Sequence, residues 1–252
     1  MDNEITEIAK ATQEVAKTAR SGIEAASGFG SFLSRVLGEP LETAVGMVTD
    51  KLKFMRLERR TRLADRYNET MAQRGLKSEY QPVPLKIALP AIEQATVEED
   101  NELQDLWANL LASAHDPTLN NIVRSGFVDI LKQLEVVDVH VLNYVYTDIL
   151  TRNLPNVEEW QTKHGRDLRL EPVKYGVRGS DVENALRIPD SIYNCAVDNL
   201  VRVQCLAFYV EEVYLPISLK EEKASFVHDY DWITITTLGW NFVRACTMPS
   251  TN

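Results

Sequence analysis

The stretch EEDNELQDLWANLLASAHDP, from Glu98 to Pro117, predicts a helix in the core of a helical body. Its apolar residues recur at i, i+3, i+4, i+7 and i+8, which is the spacing of a helix with one buried face. They are Leu103, Leu106, Trp107, Leu110, Leu111 and Ala114. Thr96, with Glu99 three residues later, predicts a capping box at its start, and Asp116-Pro117 predicts its end.

The same stretch carries carboxylates that raise the question of a metal site. On an ideal helix Glu98, Glu102 and Asp105 lie on neighbouring turns, where two carboxylates can bind a divalent cation. A di-metal carboxylate site also needs Glu-x-x-His pairs from several helices, and the sequence contains none. Carboxylates in a first turn are favoured by the helix dipole. We therefore interpret these acids as the solvent-facing side of a surface helix and predict no metal site.

A strongly basic segment, KLKFMRLERRTRLADRYNETMAQR, runs from Lys51 to Arg74. It lacks Gly and Pro and consists of good helix formers, so it predicts a long helix that Gly75 ends. Its cations outnumber its acids eight to three, which leaves three interpretations open. The helix crosses the acidic residues 98–105 and neutralises them, binds anionic lipid head groups, or binds nucleic-acid phosphates.

The first 50 residues predict short helices that need a partner surface. Ile5, Ile8 and Val15 lie on one helical stripe, from which we expect a homo-oligomer. Residues 22–50 are rich in Gly, Ala and Ser, with a break expected at Glu39-Pro40, and suit shallow insertion in a bilayer. The candidate residues for membrane or partner binding are Phe29, Phe32, Leu33, Lys51, Lys53, Arg56, Arg59, Arg60, Arg62 and Arg66.

Three further helices are predicted in the helical body. The first follows the tract 76–90, with Leu85, Leu89 and Ile92 on one face and a bend at Pro90. The second covers Ser125 to Leu134 and the third covers Asp138 to Leu150. The inward residues of the second are Phe127, Ile130, Leu131 and Leu134.

The region after Thr151 changes character. Residues 152–180 are polar and contain Pro and Gly, and predict a linker or excursion. Helices at Asp181–Leu186 and Ser191–Val203, strands at Cys205–Leu215 and Trp232–Thr237, and a last helix then follow the order of a winged-helix unit. Its predicted core is Leu186, Ile188, Val197, Leu200 and Val201.

The second helix of this unit is poorly suited to DNA. Arg202 is its single exposed cation, and the loop before the last strand carries four acids against two lysines. Such a surface repels phosphates, so we interpret the unit as structural or protein-binding. The other residues expected to be exposed on the helix are Asp190, Ser191, Tyr193, Asn194, Asp198 and Asn199.

The composition of the 252-residue chain narrows the functional classes. A net charge of −10 and a pI near 5.0 disfavour nucleic acid as a partner. The four histidines have no Cys or His at ligand spacing, and no catalytic or cofactor motif is present, so neither an enzyme nor a cofactor is predicted. Cys195, Cys205 and Cys246 form no CxxC pair, which fits buried thiols in a reducing compartment. The N-terminus lacks a secretory pattern, so we expect a cytoplasmic protein, with peripheral attachment at the inner membrane as an option.

Three segments resemble the abortive infection alpha (Abi-alpha) family of bacterial proteins, which is linked to phage defence. They are EPLETAVGMVTDKLKFMRLERRTRLADR, VPLKIALPAIEQATVEEDNELQDLWANLLASAHDP and GFVDILKQLEVVDVHVL, between Glu39 and Leu142. The C-terminal region is similar more loosely, through AVDNLVRVQCLAF and ITTLGWNFVRAC. The resemblance implies a role in defence and supplies no catalytic residues.

The sequence thus predicts a mainly α protein with a small α+β part, in which a winged-helix-like C-terminal domain follows a helical body. The predicted divisions are residues 1–50 (small-residue-rich segment), 51–151 (Abi-alpha-like body), 152–180 (linker) and 181–252 (winged-helix-like domain). We expect a non-enzymatic interaction or effector protein in abortive-infection defence. Its partner is a protein or phage component, and residues 22–66 are the candidates for action at the inner membrane. The alternative is a nucleic-acid-binding regulator that uses the winged helix or the basic helix 51–66.

Overall fold

The computed structural model describes residues 28–40, 57–75, 81–119, 121–151, 176–208 and 232–247. As predicted, the chain is mainly helical with a small antiparallel sheet in its C-terminal part. The described residues form two compact units, unit 1 within Met1–Lys132 and Ala245–Asn252 and unit 2 within Gln133–Arg244. The predicted apolar stripe of Ile5, Ile8 and Val15, the segment 41–56 and most of the predicted linker lie outside the described residues.

Unit 1 contains α1 (residues 28–37), α2 (Leu57–Gln73), α3 (Leu85–Val97), α4 (Asn101–His115) and α5 (Gly126–Leu131). The predicted basic helix is therefore present from Leu57 onwards. Gly75 follows its end with a φ of 66°, a left-handed conformation that favours glycine. The break predicted at Glu39-Pro40 follows the end of α1.

The helix α4 is buried on almost every side. Trp107 is 1% exposed, and all the predicted apolar positions face the interior. The helix also buries Gln104, Ala108, Asn109, Ala112, Ser113 and His115. The apolar stripe is thus confirmed, but the solvent-facing side predicted for a surface helix is wrong beyond Asp105. The physical reason is that α2, α3 and α5 all pack against α4.

The predicted capping box at Thr96 and Glu99 is wrong. Thr96 lies in the last turn of α3, where its hydroxyl donates to two carbonyl oxygens of the preceding turn at 2.8 and 3.0 Å. Asp100 caps α4 instead, because its carboxylate accepts hydrogen bonds from the backbone N–H groups of Glu102 and Leu103 at 2.7 and 3.2 Å. The start of α4 is therefore fixed by the residue directly before it.

The helices α3 and α5 each depart from the predicted pattern. Leu85 is 46% exposed and Leu89 is half-buried, so only Ile92 of the predicted face lies in the core. The rest of the buried face of α3 consists of Ile87, Ala88, Ala91, Ala95 and Thr96. Pro90 lies inside the helix, as predicted. α5 ends at Leu131, three residues earlier than predicted, but all four of its predicted inward side chains are buried.

Unit 2 contains α6 (Val136–Thr151), β1 (Gly176–Arg178), α7 (Gly179–Leu186), α8 (Asp190–Arg202), β2 (Leu206–Phe208), β3 (Trp232–Ile235) and most of α9 (Thr237–Cys246). The strands form an antiparallel sheet in the order β1-β3-β2, with Val177 opposite Ile233 and Ala207 opposite Thr234. The predicted order of two helices, two strands and a last helix is present, and β1 is an addition to it. α6, which the sequence places in the helical body, packs here against α8 and the sheet.

The core of unit 2 is wider than predicted. Val197 and Leu200 are buried, whereas Leu186, Ile188 and Val201 are only half-buried. Because α8 packs against α6 as well as β2, its buried face includes other residues. The additional core residues of the unit include Val177, Val182, Tyr193, Ala196, Leu206, Ile233, Ile235 and Trp240.

Candidate functional site

Three arginines on α2 lie on one face of the helix, and we call them the arginine row. Arg59, Arg62 and Arg66 are separated by three and four residues, which places them on neighbouring turns. Their side chains are 17%, 28% and 20% exposed. Their aliphatic parts are therefore largely covered, while the guanidinium groups reach the polar edge of unit 1.

The arginine row contacts the acidic residues at the start of α4. Arg59 Nη2 lies 2.5 Å from Glu99 Oε1, and Arg59 Nη1 donates to the carbonyl oxygen of Val97 at 2.8 Å. Arg66 forms an ion pair with Asp105. Within unit 1 the basic helix thus crosses the acidic stretch and neutralises part of it. This agrees with the first of the three interpretations, in which the helix crosses the acidic residues 98–105.

Asn101 joins the other contacts of the row. Arg62 Nη1 donates to Asn101 Oδ1 at 2.8 Å, and its Nη2 donates to Glu58 one turn earlier on α2 at 2.8 Å. Arg66 donates to the carbonyl oxygen of Asn101. All three arginines of the row therefore have partners within unit 1.

The ion pairs of the row are exposed on their acidic side. The side chains of Glu99 and Asp105 are 82% and 53% exposed, so water screens each pair and each contributes little stability. Partial burial raises the pKa of Asp105, and Arg66 opposes that shift. The row is suited to setting how α2 lies on α4 rather than to holding the two helices together.

The predicted apolar contact residues belong to the interior of unit 1. Phe29, Phe32 and Leu33 are 4%, 1% and 0% exposed, and the Phe32 ring lies 5.1 Å from the Tyr67 ring. Arg60 places its guanidinium carbon 6.0 Å from the centre of the Phe29 ring. A bilayer or partner would reach these side chains only if α1 left its place in the unit. The remaining candidates, Lys51, Lys53 and Arg56, lie outside the described residues.

A second set of polar contacts between α2 and α4 is buried. The Tyr67 hydroxyl lies 3.0 Å from His115 Nδ1, and Thr70 Oγ1 donates to Asn109 Oδ1 at 3.1 Å. Arg74 Nη2 donates to the Ser113 hydroxyl at 2.9 Å. We call this set, together with Asp116, the buried polar cluster. Its members are Tyr67, Thr70, Arg74, Asn109, Ser113, His115 and Asp116.

Arg74 and Asp116 form the charged end of the cluster. Arg74 Nη1 lies 3.6 Å from Asp116 Oδ2, and the two side chains are only 2% and 6% exposed. Burial lowers the pKa of Arg74, and the charge of Asp116 opposes that shift. Asp116 also accepts hydrogen bonds from the backbone N–H and the hydroxyl of Thr118 at 2.8 and 2.6 Å. Each charge therefore depends on the other to remain buried.

His115 is held neutral by its surroundings. Burial lowers its pKa to about 4, and the nearby charge of Arg35 adds to this. The described residues contain no group of three or more His, Cys, Asp or Glu side chains that could hold a metal ion. The arrangement of the cluster is suited to fastening α2 to α4.

Sequence reasoning did not identify this cluster, although the sequence carries a signal of it. Tyr67 and Thr70 on α2 and Arg74 directly after it are spaced by three and four residues, and Asn109, Ser113 and Asp116 by four and three on the facing stretch. Polar residues at helical spacing on two neighbouring helices indicate a shared polar seam. The pairing itself follows only once the two helices are known to be neighbours.

In unit 2, α8 presents an exposed face that we call the α8 face. It contains Ile192, which is 46% exposed, and Cys195, which is exposed although we expected buried thiols. Tyr193 was expected on this face but is 5% exposed and lies in the core. The full set of the α8 face is Asp190, Ser191, Ile192, Asn194, Cys195 and Asp198.

The single cation of α8 is held by neighbours in unit 2. Arg202 donates to Gln133 Oε1 at 2.7 Å and to the side chain of Asn199. Asn199 is half-buried, and its amide donates to Asp138 Oδ2 at 2.7 Å. Burial raises the pKa of Asp138, and the bonds from the Glu135 N–H and Asn199 oppose this. The α8 face is therefore acidic and neutral-polar around one apolar side chain.

Comparison with known proteins identifies one family. The model of the family described as abortive infection alpha matches residues 57–246, which is most of the chain. No curated protein and no solved structure matches the chain. Among the helices that the structure describes, none is both long and apolar enough to cross a membrane.

Proposed function

Because the chain belongs to the abortive infection alpha family, we propose that it acts in abortive-infection defence as a non-enzymatic interaction protein. The partner we propose is a protein, either of the host or of the phage. The observation that carries this proposal is the α8 face, where an exposed isoleucine lies among carboxylates and neutral polar groups. Such a mixed surface is typical of transient protein interfaces.

The position of α8 supports this use. The order α7, α8, β2 and β3, with the strand order β1-β3-β2, supports a winged-helix-like assignment of unit 2. In DNA-binding helix-turn-helix proteins the second helix is the one that contacts the DNA, so this helix presents an accessible surface. The exposed charged residues of α8 are Asp190, Asp198 and Arg202, and the guanidinium of Arg202 is engaged with Gln133 and Asn199. These charges favour a protein partner over the phosphates of a nucleic acid.

The chemistry of unit 1 supports the non-enzymatic part of the proposal. Arg74 and Asp116 are the kind of groups that active sites use, but here they are enclosed and paired with each other. His115 is likewise enclosed and bonded to Tyr67. Side chains used in this way stabilise packing and do not face a substrate.

An infection assay with one variant and a matched control tests this proposal. Ile192→Glu places a charge on the α8 face, while Val97→Glu makes the same kind of change at an exposed apolar residue of unit 1. We expect cells with Ile192→Glu to lose protection against phage and cells with Val97→Glu to keep it, at equal protein levels and equal thermal stability. Full protection by Ile192→Glu would remove the α8 face from the proposal.

Peripheral attachment to the inner membrane is a second candidate. It is supported by the sequence KLKFMR at residues 51–56, which carries three cations and no acid beside the small-residue segment. Flotation with anionic vesicles tests it, with neutral vesicles as the control. We expect binding that the triple variant Lys51→Glu, Lys53→Glu, Arg56→Glu abolishes. Protein that stays with the soluble fraction on anionic vesicles would exclude this candidate.

Self-association is a further part of the proposal. It is supported by the apolar stripe Ile5, Ile8 and Val15, which lies outside the described residues. We expect light scattering to give an oligomer for the wild-type chain and a lower mass for Ile8→Glu. An unchanged mass would assign any oligomer to another surface.

A further inference from the structure

A cavity of about 480 Å³ lies in unit 1, between the segment before α3 and the turn before α5. Its walls include Pro82, Pro84, Ile87 and Val123, and two cations, Lys86 and Arg124, also line it. No acidic residue is among the described residues of its lining. A volume of this size is typical of sites for small organic molecules, which fall at roughly 300–1,000 Å³.

Unlike the cations of the arginine row, Lys86 and Arg124 have no ion-pair partner among the residues that the structure describes. Both side chains are exposed, and within the part of the chain that the structure describes neither forms a hydrogen bond or ion pair. The chain as a whole has a net charge of −10, and Arg59 and Arg66 of the arginine row form ion pairs within unit 1. Two cations at one cavity of such a protein, without a partner in the described part of the chain, point to an anionic ligand.

The walls of the cavity are held by hydrogen bonding and close packing. The Val83 N–H donates to the carbonyl oxygen of Val36 at 2.9 Å, which fixes the wall between the two prolines. Pro82 packs against Gly38 so closely that a Cβ there would lie 2.5 Å from Pro82 Cγ. The lining residue Ala114 is 2% exposed and belongs to the enclosed helix α4. A ligand would therefore find a preformed site.

We propose that this cavity binds a small phosphate ester, with Lys86 and Arg124 pairing with the phosphate and the proline and aliphatic walls covering its organic part. A phosphate carries nearly two negative charges at neutral pH and accepts charge-assisted hydrogen bonds from guanidinium and ammonium groups. The apolar walls and the volume favour an ester over free phosphate. This site is separate from the α8 face and depends on unit 1 alone.

Isothermal titration with AMP, adenosine and inorganic phosphate as probes tests the proposal on the full chain. We expect AMP to bind at least tenfold more tightly than adenosine, which lacks the phosphate group. We expect the same difference from inorganic phosphate, which lacks the nucleoside. Lys86→Gln and Arg124→Gln should each weaken AMP binding about tenfold. Lys132→Gln, which makes the same charge change at an exposed lysine outside the cavity lining, should leave it unchanged.

The charge-preserving variant Lys86→Arg separates a binding role from a folding defect. We expect it to retain most of the AMP affinity that Lys86→Gln loses, with equal thermal stability in both variants. Equal affinity for AMP and adenosine would overturn the proposal, as would AMP binding that both glutamine variants leave intact. Binding of a single-stranded oligonucleotide that these variants abolish, without binding of AMP, would assign the cations to a polymer and also overturn it.

Discussion

The helices α4 and α8 are both packed by other elements, but their surfaces are used in opposite ways. Of the 15 residues of α4, 12 are buried, whereas α8 buries only four of its 13. An enclosed helix has to satisfy its polar groups within the protein, because no water reaches them. A half-exposed helix can leave its polar groups to solvent or to a partner. We therefore expect substitutions on α4 to change stability and substitutions on the α8 face to change binding.

The polar residues of α4 show what enclosure requires. Asn109 and His115 each contact a side chain of α2, and Ser113 contacts Arg74 directly after that helix. Gln104 donates to the carbonyl oxygen of Ala95 at 3.0 Å. On α8, by contrast, Asn194 and Asp198 are exposed. The contrast between the two helices leads to four predictions, ordered by the size of the expected effect.

The largest effect is expected where α4 is most enclosed. Trp107→Ala should lower the free energy of unfolding by about 3–5 kcal/mol, because it removes a large side chain that is 1% exposed and leaves a cavity. Ile192→Ala on the α8 face should change it by less than about 0.5 kcal/mol. Chemical denaturation followed by circular dichroism measures both. A nearly neutral Trp107→Ala would contradict the position of α4 in the core.

The charged end of the buried polar cluster should be nearly as sensitive. Arg74→Met leaves the Asp116 carboxylate buried without its partner, and we expect a loss of about 3–5 kcal/mol in the free energy of unfolding. Adding Asp116→Asn removes the unpaired charge, so the double variant should recover part of the loss. Denaturation of the two single variants and the double variant forms a complete cycle. If the double variant lost the sum of both single effects, the pair would not be coupled.

The fold could be predicted from the sequence wherever one helix carried its own signal. The apolar stripe containing Trp107 is such a signal, because its period is set by the helix itself. The cap of α4 could not be predicted in this way, because the Thr96 hydroxyl can bond to the preceding turn as well as cap the next helix. The strand β1 has only three residues and is held by pairing with β3, more than 50 residues later. Such long-range contacts leave no local pattern.

The candidate site divides in the same way. The cations Arg59 and Arg66 were identified from charge alone, and their pairing with the acidic stretch was one of three open interpretations. The buried polar cluster was not identified, because Tyr67 and His115 are 48 residues apart and each looks ordinary alone. The cavity was not identified either, since Lys86 and Arg124 come to line one cavity only through the fold.

A pH dependence should report the enclosure of His115. Its pKa is about 4 in the folded chain against 6.5 for an exposed histidine, so the neutral form is favoured by folding. The contribution of neutral His115 to the free energy of unfolding is therefore complete above pH 6.5, and it is lost as the pH falls towards 4. The shift corresponds to about 3–4 kcal/mol at about 1.4 kcal/mol per pKa unit. His115→Gln should remove this part of the pH dependence, measured by denaturation between pH 7 and 4.

Comparison with a matched control isolates that contribution. Asp105 and Asp138 have raised pKa values, so they stabilise the folded chain as the pH falls and oppose the effect of His115. They are unchanged in His115→Gln and in His140→Gln, which alters an exposed histidine. We expect only His115→Gln to differ from the wild-type chain in how steeply its free energy of unfolding changes with pH. If the free energy of unfolding changed equally with pH in all three proteins, His115 would not be enclosed between α2 and α4.

The smallest effect is expected at the arginine row, on the same two helices but at their exposed edge. Arg66→Gln removes the ion pair with Asp105, whose side chain is 53% exposed, so solvent screening should limit the loss to less than about 1 kcal/mol. The loss should shrink further at 1 M salt, where screening is nearly complete. The effect of Arg74→Met should persist at that salt concentration, because water and ions do not reach its partner. A loss at Arg66 as large and as salt-resistant as that at Arg74 would mean that both edges of the α2–α4 interface are enclosed.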